Sequence, residues 1–564
     1  DVMVNRYKDV SPSDGKADST TPYYSKSLTN TTMAPLWEAG RTLGALDVNA
    51  TCSTATAGVS CRRIWTWVDT NANGVIDSGE DLVEFSQTNN SRLTPYLNAG
   101  ASSLTSTGVI NFIRGCNGYT SGSPCPEQTS LRDRRLTLLD GSTVLWPYGD
   151  PINSTPTVVG GPKERYDVIY GDSSYTAFFQ RYQNRRQVLY VGANDGMLHA
   201  FNAGFYHKGD DPSTTNKEEH GWFTTDSTYA PTSASPRTNP GFGAELWAYI
   251  PYELLPQLQW LARTDYTHVY YVDLKPKVTD VRIFTDDGPT GRHPGGWGTI
   301  LIGGFRFGGS CGHCTSAAPP MTYTTTFETG RGVETRTFYS AYFVLDVTDP
   351  EREPELIGVF TNQSGAGLAT SYPTVLRVNP SSAPDKADNT NAKWFAVFGS
   401  GPTGYNGNTT SSQSSQLYAL ELKGDKSGTL KGPYSTGDSN AFMGDLISYD
   451  RNLDYRADAI YGGNEICNSS SCGGTATPAW KGKMYRLTTG QGMQTDPANW
   501  GAPTLVVQEF SCVMPCTGTN KVGPITAAPT ITSDDSNNVW VFFGTGRYWD
   551  PVNDKSNTDT QYFI

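Results

Sequence analysis

QVLYVGANDGMLHAFNA, residues 187–203, reads as a strand rich in Val, Leu and Tyr, then a glycine-bearing turn, then a second short strand, Leu198-His199-Ala200-Phe201. Glycine suits that turn because a tight reversal needs backbone conformations closed to other residues. The same design recurs in WGTILIGGF (297–305), WFAVFGSG (394–401) and VWVFFGTG (539–546). Leu417-Tyr418-Ala419-Leu420 repeats the second strand, and Phe343-Val344-Leu345-Asp346 and Met484-Tyr485-Arg486-Leu487 are variants of it. Upstream, Pro156-Thr157-Val158, Pro373-Thr374-Val375 and Pro529-Thr530-Ile531 open segments that lead into such strands.

A strand–turn–strand unit repeated over residues 152–548 predicts an all-β chain folded as a β-propeller. One four-stranded blade cannot bury both of its faces. Neighbouring blades bury them for each other, and ring closure protects the edges. A β-sandwich is the competing reading of the same strands. Seven ordinary blades need ~300 residues at ~40–45 per blade. The surplus falls to long loop insertions, with candidates at 207–240, 308–335, 379–392 and 402–416, and to the start of the chain. We expect residues 1–148 to form a segment packed on a propeller of residues 149–564. In that segment Leu36-Trp37-Glu38-Ala39-Gly40 suggests a short helix and RRIWTWV (62–68) a strand. One stretch reads as a convincing helix, Pro251 to Arg263, with Leu254, Leu255, Leu258 and Leu261 on one apolar face.

Composition narrows the function. Charged residues make up only 17 % of the chain, aromatics 12 %, and the net charge is −12. Such an acidic chain argues against a nucleic-acid partner, because phosphate backbones demand Lys and Arg. No apolar run approaches the ~18 residues of a transmembrane helix. The sequence starts at Asp1 and reads as a mature or excised fragment. The ten cysteines fall into five local pairs, Cys52/Cys61, Cys116/Cys125, Cys311/Cys314, Cys467/Cys472 and Cys512/Cys516. Local pairs in polar loops predict disulfide staples made in an oxidising compartment. Metal thiolates are the alternative, needing four ligands from two pairs.

The strongest chemical motif is DTNANGVIDSGE, residues 69–80. It meets every specified position of the twelve-residue calcium-loop template. Calcium takes six to eight hard oxygens. Asp69, Asn71, Asn73, Asp77 and Glu80 offer side-chain oxygens, Val75 a carbonyl, and Gly74 the sharp turn. The flanks read as strands, so this is an EF-like loop without the paired helices. A second loop carries Asp450, Asn452, Asp454 and Asp458 at positions 1, 3, 5 and 9, with the Arg456 carbonyl at 7. Tyr455 replaces the glycine and Tyr461 the closing Glu, so the residues alone leave a calcium loop and a plain inter-strand turn both open. Cys311-Gly312-His313-Cys314 lacks the βαβ setting of a redox motif and reads as a loop disulfide. The six histidines are scattered, with His199 read as a satisfied core residue. No catalytic constellation or dinucleotide fingerprint stands out, so no enzyme activity is predicted.

The segment 187–203 resembles the hallmark strand of the PilY/PilC-type type IV pilus tip proteins. So, in order, do INSTPTVVGGP (152–162), ELWAYIPYEL (245–254), HVYYVDLKPKVTD (268–280), WGTILIGGF, YFVLDVTDP (342–350), DYRADAIYGG (454–463), KGKMYRL (481–487) and the stretch 525–549. The resemblance implies a modified seven-bladed, quinoprotein-like propeller. It implies an extracellular or cell-surface place at the pilus tip (fimbrium), with minor pilins as partners and contact with the outer membrane, host cells or abiotic surfaces. It implies roles in pilus biogenesis, extension and retraction, twitching motility and adhesion. The family's nine-residue calcium loop corresponds to Asp450, Asn452, Asp454, Arg456 through its carbonyl, and Asp458. Arg114-Gly115 is followed by Cys116 rather than Asp, which gives no support to integrin binding. The family's variable N-terminal adhesive part lies outside these residues. Two other readings of a calcium-bearing propeller are a quinoprotein-like dehydrogenase and a carbohydrate-binding adhesin.

Overall fold

A computed structural model describes residues 2–6, 19–22, 24–28, 36–46, 53–54, 56–58, 61–102, 104–116, 131–138, 141–213, 221–226, 237–309, 321–361, 365–380, 388–405, 409–467, 480–511, 519–549, 554 and 561–564. Among them strands dominate. Four antiparallel sheets follow one another along the chain, each laid down strand beside strand in sequence order. The first holds Thr157–Val159, Gln187–Gly192, Leu198–Lys208 and Glu245–Ile250. The second holds Lys277–Arg282, Trp297–Gly304, Ala341–Asp346 and Glu355–Thr361. The third holds Thr374–Val378, Lys393–Gly399, Gln416–Leu422 and Leu430–Ser435. The fourth holds Ala441–Tyr449, Ala459–Cys467, Met484–Thr488 and Thr504–Val507. A further antiparallel pair, Thr530–Ser533 with Val539–Phe542, begins the pattern again.

Strand 539–542 is the second of the last pair, and in the first three sheets the repeated strand–turn–strand of the sequence supplies the second and third strands. Those strands are buried on both faces, as 297–304 and 341–346 are throughout, whereas the outer strand 504–507 is mostly exposed. Alternate side chains point to opposite neighbours. Ile300 and Ile302 join a core shared with Ala396, Phe398 and Tyr418, while Leu301 joins one shared with Tyr190 and Trp247. Phe395 and Val397 turn the other way, toward Leu446 and Ile460 of the fourth sheet. This double burial is why the strands read as unbroken apolar runs rather than alternating ones. Rings stitch the faces: Tyr249 lies 5.0 Å from Phe343, Phe398 4.4 Å from Tyr342, and Trp500 5.3 Å from Phe395. A buried ion pair, Arg186 Nε to Glu351 at 2.7 Å, also ties the first sheet to the second.

The starts of the successive sheets converge. Asn153, Lys275, Tyr372 and Thr526, each just before the first strand of its unit, and Asp445, midway along the first strand of the fourth sheet, line one cavity of about 370 Å³. The insertions add small hairpins, Met321–Thr325 with Glu334–Phe338 and Gly404–Tyr405 with Thr409–Thr410. From the start of the chain, Ile64–Thr66 runs parallel to Ala248–Ile250 at the edge of the first sheet, and Val83–Glu84 pairs with it in turn.

Helices depart from expectation. The helix expected from Pro251 to Arg263 is a 3-10 turn at Tyr252–Gln257 followed by one α turn at Leu258–Ala262. Pro256, inside it, lacks the N–H that a continuous α-helix needs. Every residue from 252 to 262 is buried, so there is no single apolar face. The short helix near Leu36 spans Ala39–Gly44. Two longer helices were not foreseen, Ser106–Arg114 and Ser173–Tyr182. Their signals are the caps, Thr105 accepting from Gly108 N–H and Asp172 from Ser174 N–H, ahead of helically spaced Val109, Phe112 and Ile113 and Tyr175, Phe178 and Tyr182.

Candidate metal loops and a buried charge cluster

The first loop links strand 64–66 to strand 83–84 at the edge of the first sheet. Asp69, 2 % exposed, anchors it. Its carboxylate accepts from the N–H groups of Ala72 at 2.6 Å and Gly74 at 2.8 Å. Gly74 takes φ +72°, the left-handed turn that the template's glycine serves. The amides of Asn71 and Asn73 both donate to Asp77, at 2.6 and 2.8 Å. Glu80 accepts from the Thr70 N–H at 2.7 Å and hydroxyl at 2.6 Å. Val75 is exposed and donates its N–H to Asn73 Oδ1 at 2.8 Å. Burial, with Glu80 nearby, holds Asp69 above the usual carboxylate range. Arg336 reaches in from the neighbouring hairpin and donates to the carbonyls of Asp69 and Thr70.

The second loop joins the first two strands of the fourth sheet. Asp450 accepts from Asp454 N–H at 3.2 Å and Tyr455 N–H at 2.9 Å. Asp458 accepts from Arg451 N–H at 2.7 Å, and Asn452 donates to Asp454 at 3.0 Å. Arg456, expected to serve through its carbonyl, lays its guanidinium on Asp454, with Nε at 3.0 Å. Burial opposes charge on Asp454, but bonds from Arg456 and Asn452 prevail and hold it low. Burial raises both Asp450 and Asp458. Tyr455, at the template's glycine position, adopts φ +71°. A bulky residue there is strained. Its ring is held on both sides, stacked on Tyr170 at 4.3 Å and under the Arg377 guanidinium at 4.2 Å. The Tyr455 carbonyl accepts from Arg377 at 2.9 Å. Tyr461 lies within strand 459–467.

By donor chemistry both loops fit a hard divalent cation: carboxylate and amide oxygens cluster in tight turns with more negative than positive charge. As placed, these side chains bond to one another and to the backbone. Among the described residues, no group of three or more His, Cys, Asp or Glu side chains forms a metal cage. Cys61, Cys116 and Cys467 are disulfide-bonded. Cys52, Cys125, Cys311, Cys314, Cys472, Cys512 and Cys516 lie outside the described residues.

Pattern reading missed a buried charge cluster in the first sheet. His199 Nδ1 stands 2.7 Å from Glu245 Oε1, and its Nε2 stands 3.1 Å from Asp195. Carboxylates accept on both sides of the ring, so both nitrogens carry protons. Arg62 pairs with Glu245 through Nε at 2.7 Å and Nη2 at 2.8 Å. Burial alone would lower His199, but Asp195 and Glu245 raise its pKa to about 9. Burial would raise Glu245, but Arg62 and His199 lower it to about 2. The only trace in the sequence is one polar residue in each of two apolar strands, His199 in LHAF and Glu245 in ELWAYI.

Serially packed antiparallel sheets with acidic loops at their turns define an all-β repeat chain. Over 456 residues, 80 % of the chain, it is 24 % identical to a protein of Xylella fastidiosa described as a type IV pilus biogenesis factor PilY1 homolog. It is 26 % identical over 431 residues, 73 % of the chain, to the type IV pilus biogenesis factor PilY1 of Pseudomonas aeruginosa. The chain spans about a quarter of the length of these relatives, 26 and 27 %. A solved structure of the P. aeruginosa PilY1 C-terminal domain is 21 % identical, covering 72 % of this chain and 64 % of that one, with a TM-score of 0.39. No family model matches. Over the span it shares with them, the chain is a homologue of the PilY1 type IV pilus biogenesis factors.

Proposed function

We propose that the chain is a calcium-binding propeller module of a type IV pilus tip protein, and that it binds rather than catalyses. The observation that carries this reading is the second loop, where acidic residues match the family's calcium positions and a buried tyrosine holds the glycine-like turn. Asp450, Asn452, Asp454 and Asp458, with the Arg456 carbonyl, would hold the ion. Asp69, Asn71, Asn73, Asp77 and Glu80, with the Val75 carbonyl, would hold a second. Calcium supplies a charge that lets clustered carboxylates sit together and fixes the turn they share.

Convergence of residues from the first strands of five units, or just before them, on one cavity supports a ring, since sheets stacked in a straight row would spread them by ~10 Å per sheet. Seven blades and closure belong to this proposal. So does residues 1–148 as a segment packed on a propeller of residues 149–564, a reading supported by strand 64–66 at the edge of the first sheet. Disulfide-bonded cysteines suit an exported, cell-surface place at the pilus tip, with minor pilins as partners and roles in extension, retraction and adhesion. Calcium titration of the whole chain and of Asp454→Ala, with twitching assays of cells carrying each, tests the reading. We expect weaker calcium binding and altered retraction with the fold intact. Unchanged affinity and motility in that variant would refute it.

A further inference from the structure

A cavity of about 510 Å³ opens where the helix 106–114 and residues 132–136 and 146–151 meet the turn at Asn194-Asp195. Its volume suits one or two small rings. Three arginines line it; Arg135 is paired with Asp133 at 2.7 Å, which leaves Arg132 and Arg134. Arg132 lies over Tyr266 at 4.0 Å, and Arg134 over Phe112 at 3.8 Å. The Nε of each is buried without a hydrogen-bond partner. Among the described residues neither forms an ion pair, and the side chain of Arg132 makes no hydrogen bond. Arg134 donates to the carbonyls of Pro147, Phe112 and Cys116, which position it without pairing its charge, and Asp195 acts on it only from a distance. Burial and the neighbouring Arg132 lower its pKa to about 9. Both side chains are half-buried, and half-buried cations with no paired carboxylate gain from an anion that something else supplies.

The remaining walls limit what that anion is. Asp150 and Asp195 line the same cavity, held by His268 and His199 at 3.1 Å each. A compact dianion would sit against both carboxylates. A ligand with one negative group and several hydroxyls meets both demands, its anion at the arginines and its donors at the aspartates. Trp146, Tyr148 and Tyr266 add aromatic faces, against which the C–H face of a sugar ring packs well. The cavity's lining includes no residue of either candidate calcium loop.

We propose that this cavity is a binding site for an acidic sugar, a hexuronate whose carboxylate is taken by Arg132 and Arg134 and whose hydroxyls reach Asp150 and Asp195. The test is isothermal titration of the whole chain with glucuronate, glucose, inorganic sulfate and digalacturonate. Arg132→Gln is the informative variant, because its side chain carries no structural hydrogen bond; Arg165→Gln, at a distant surface pair, is the control. We expect glucuronate to bind at least tenfold more tightly than glucose or sulfate. We expect Arg132→Gln to weaken it tenfold or more, and Arg165→Gln to leave it unchanged. Tighter digalacturonate supports the end of a polysaccharide as the source, and equal affinity supports a single sugar residue. Equal binding of glucose and glucuronate, sulfate binding as tightly as glucuronate, or an unaffected Arg132→Gln variant would each overturn the proposal.

Discussion

Replacing Glu245 with Gln tests the charge cluster of the first sheet most sharply. Glu245 is fully buried, as are its partners Arg62 and His199. The wild-type cluster holds two cations, Arg62 and His199, against two carboxylates, Asp195 and Glu245. Glu245→Gln keeps the shape and leaves one positive charge in excess. Lowering Glu245 from 4.5 to about 2 corresponds to about 3 kcal/mol of stabilisation of its charged form. Raising His199 from 6.5 to about 9 corresponds to a similar amount. The two share one interaction, so they do not add. Breaking a buried pair costs about 3–5 kcal/mol, and we expect a loss in that range near pH 6. The pH dependence has a fixed sign. The His199 contribution is complete below 6.5 and fades as pH rises to about 9, whereas that of Glu245 is complete above 4.5 and fades as pH falls to about 2. The gap between wild type and variant should therefore be widest between pH 4.5 and 6.5 and narrow toward pH 10. Urea unfolding of both proteins across that range measures the gap and cancels groups that titrate alike in both. Hydrogen exchange at 198–201 and 245–250 reads it locally, without requiring a 564-residue chain to unfold in one step. A gap below about 1 kcal/mol at pH 6, or one that stays constant to pH 10, would show that the cluster does not carry the energy assigned to it.

Three further outcomes follow. Tyr455→Gly relieves a left-handed backbone worth about 1–3 kcal/mol but removes a buried aromatic worth about 3–5, so a net loss of about 2 kcal/mol is expected in calorimetry; a gain would mean that strain dominates the turn. Glu253, buried with one carboxyl oxygen unpartnered, has its pKa raised from 4.5 to about 8, chiefly by burial. Its folded form favours the proton, so stability falls as pH climbs through that window, and Glu253→Gln should add about 3 kcal/mol at pH 7 in chelating buffer and almost nothing at pH 4; equal effects at both pH values would contradict the assignment. Phe398→Ala empties the contact with Tyr342 and Phe360, at 4.4 and 5.2 Å; we expect a loss of about 3–5 kcal/mol in urea unfolding, and a loss below 1 would mean that the second and third sheets do not depend on this packing.

What was legible in the sequence and what was not divides along physical lines. Strands such as 297–304 and 393–399 are buried on both faces, so they appear as continuous apolar runs with glycines at the turns, and a reader finds them without knowing the fold. The loop at 69–80 is legible because its ligand types stand at fixed local spacing, and Gly74 takes the turn its position predicts. The Arg62–Glu245 pair is not legible, because its partners stand 183 residues apart and only the sheet brings them together. The helices at 106–114 and 173–182 are short, and their only signal is a capping residue ahead of three helically spaced apolar residues, Thr105 before Val109, Phe112 and Ile113 and Asp172 before Tyr175, Phe178 and Tyr182. Tyr455 is ambiguous in a different way: in the template's glycine place it leaves a calcium loop and a plain turn both open, and the structure keeps the left-handed turn by burying the ring.

That last substitution bears on how a loop ion would be felt elsewhere. Tyr455 belongs to the turn of the fourth sheet, yet its ring packs in the core shared by the second and third sheets, with Tyr166, Trp297 and Trp394. A left-handed non-glycine residue costs about 1–3 kcal/mol and persists only where its surroundings over-determine it. Here the surroundings are Tyr170, Arg377 and the turn's own carboxylates. The turn and the inter-sheet packing are therefore two halves of one arrangement, and neither side can relax alone. A loop closed by glycine would offer the same oxygens while remaining independent of the inter-sheet packing. A loop closed by a buried tyrosine makes the conformation of its acidic residues and the packing of three sheets report on each other, which is the coupling that the proposed calcium-dependent function requires.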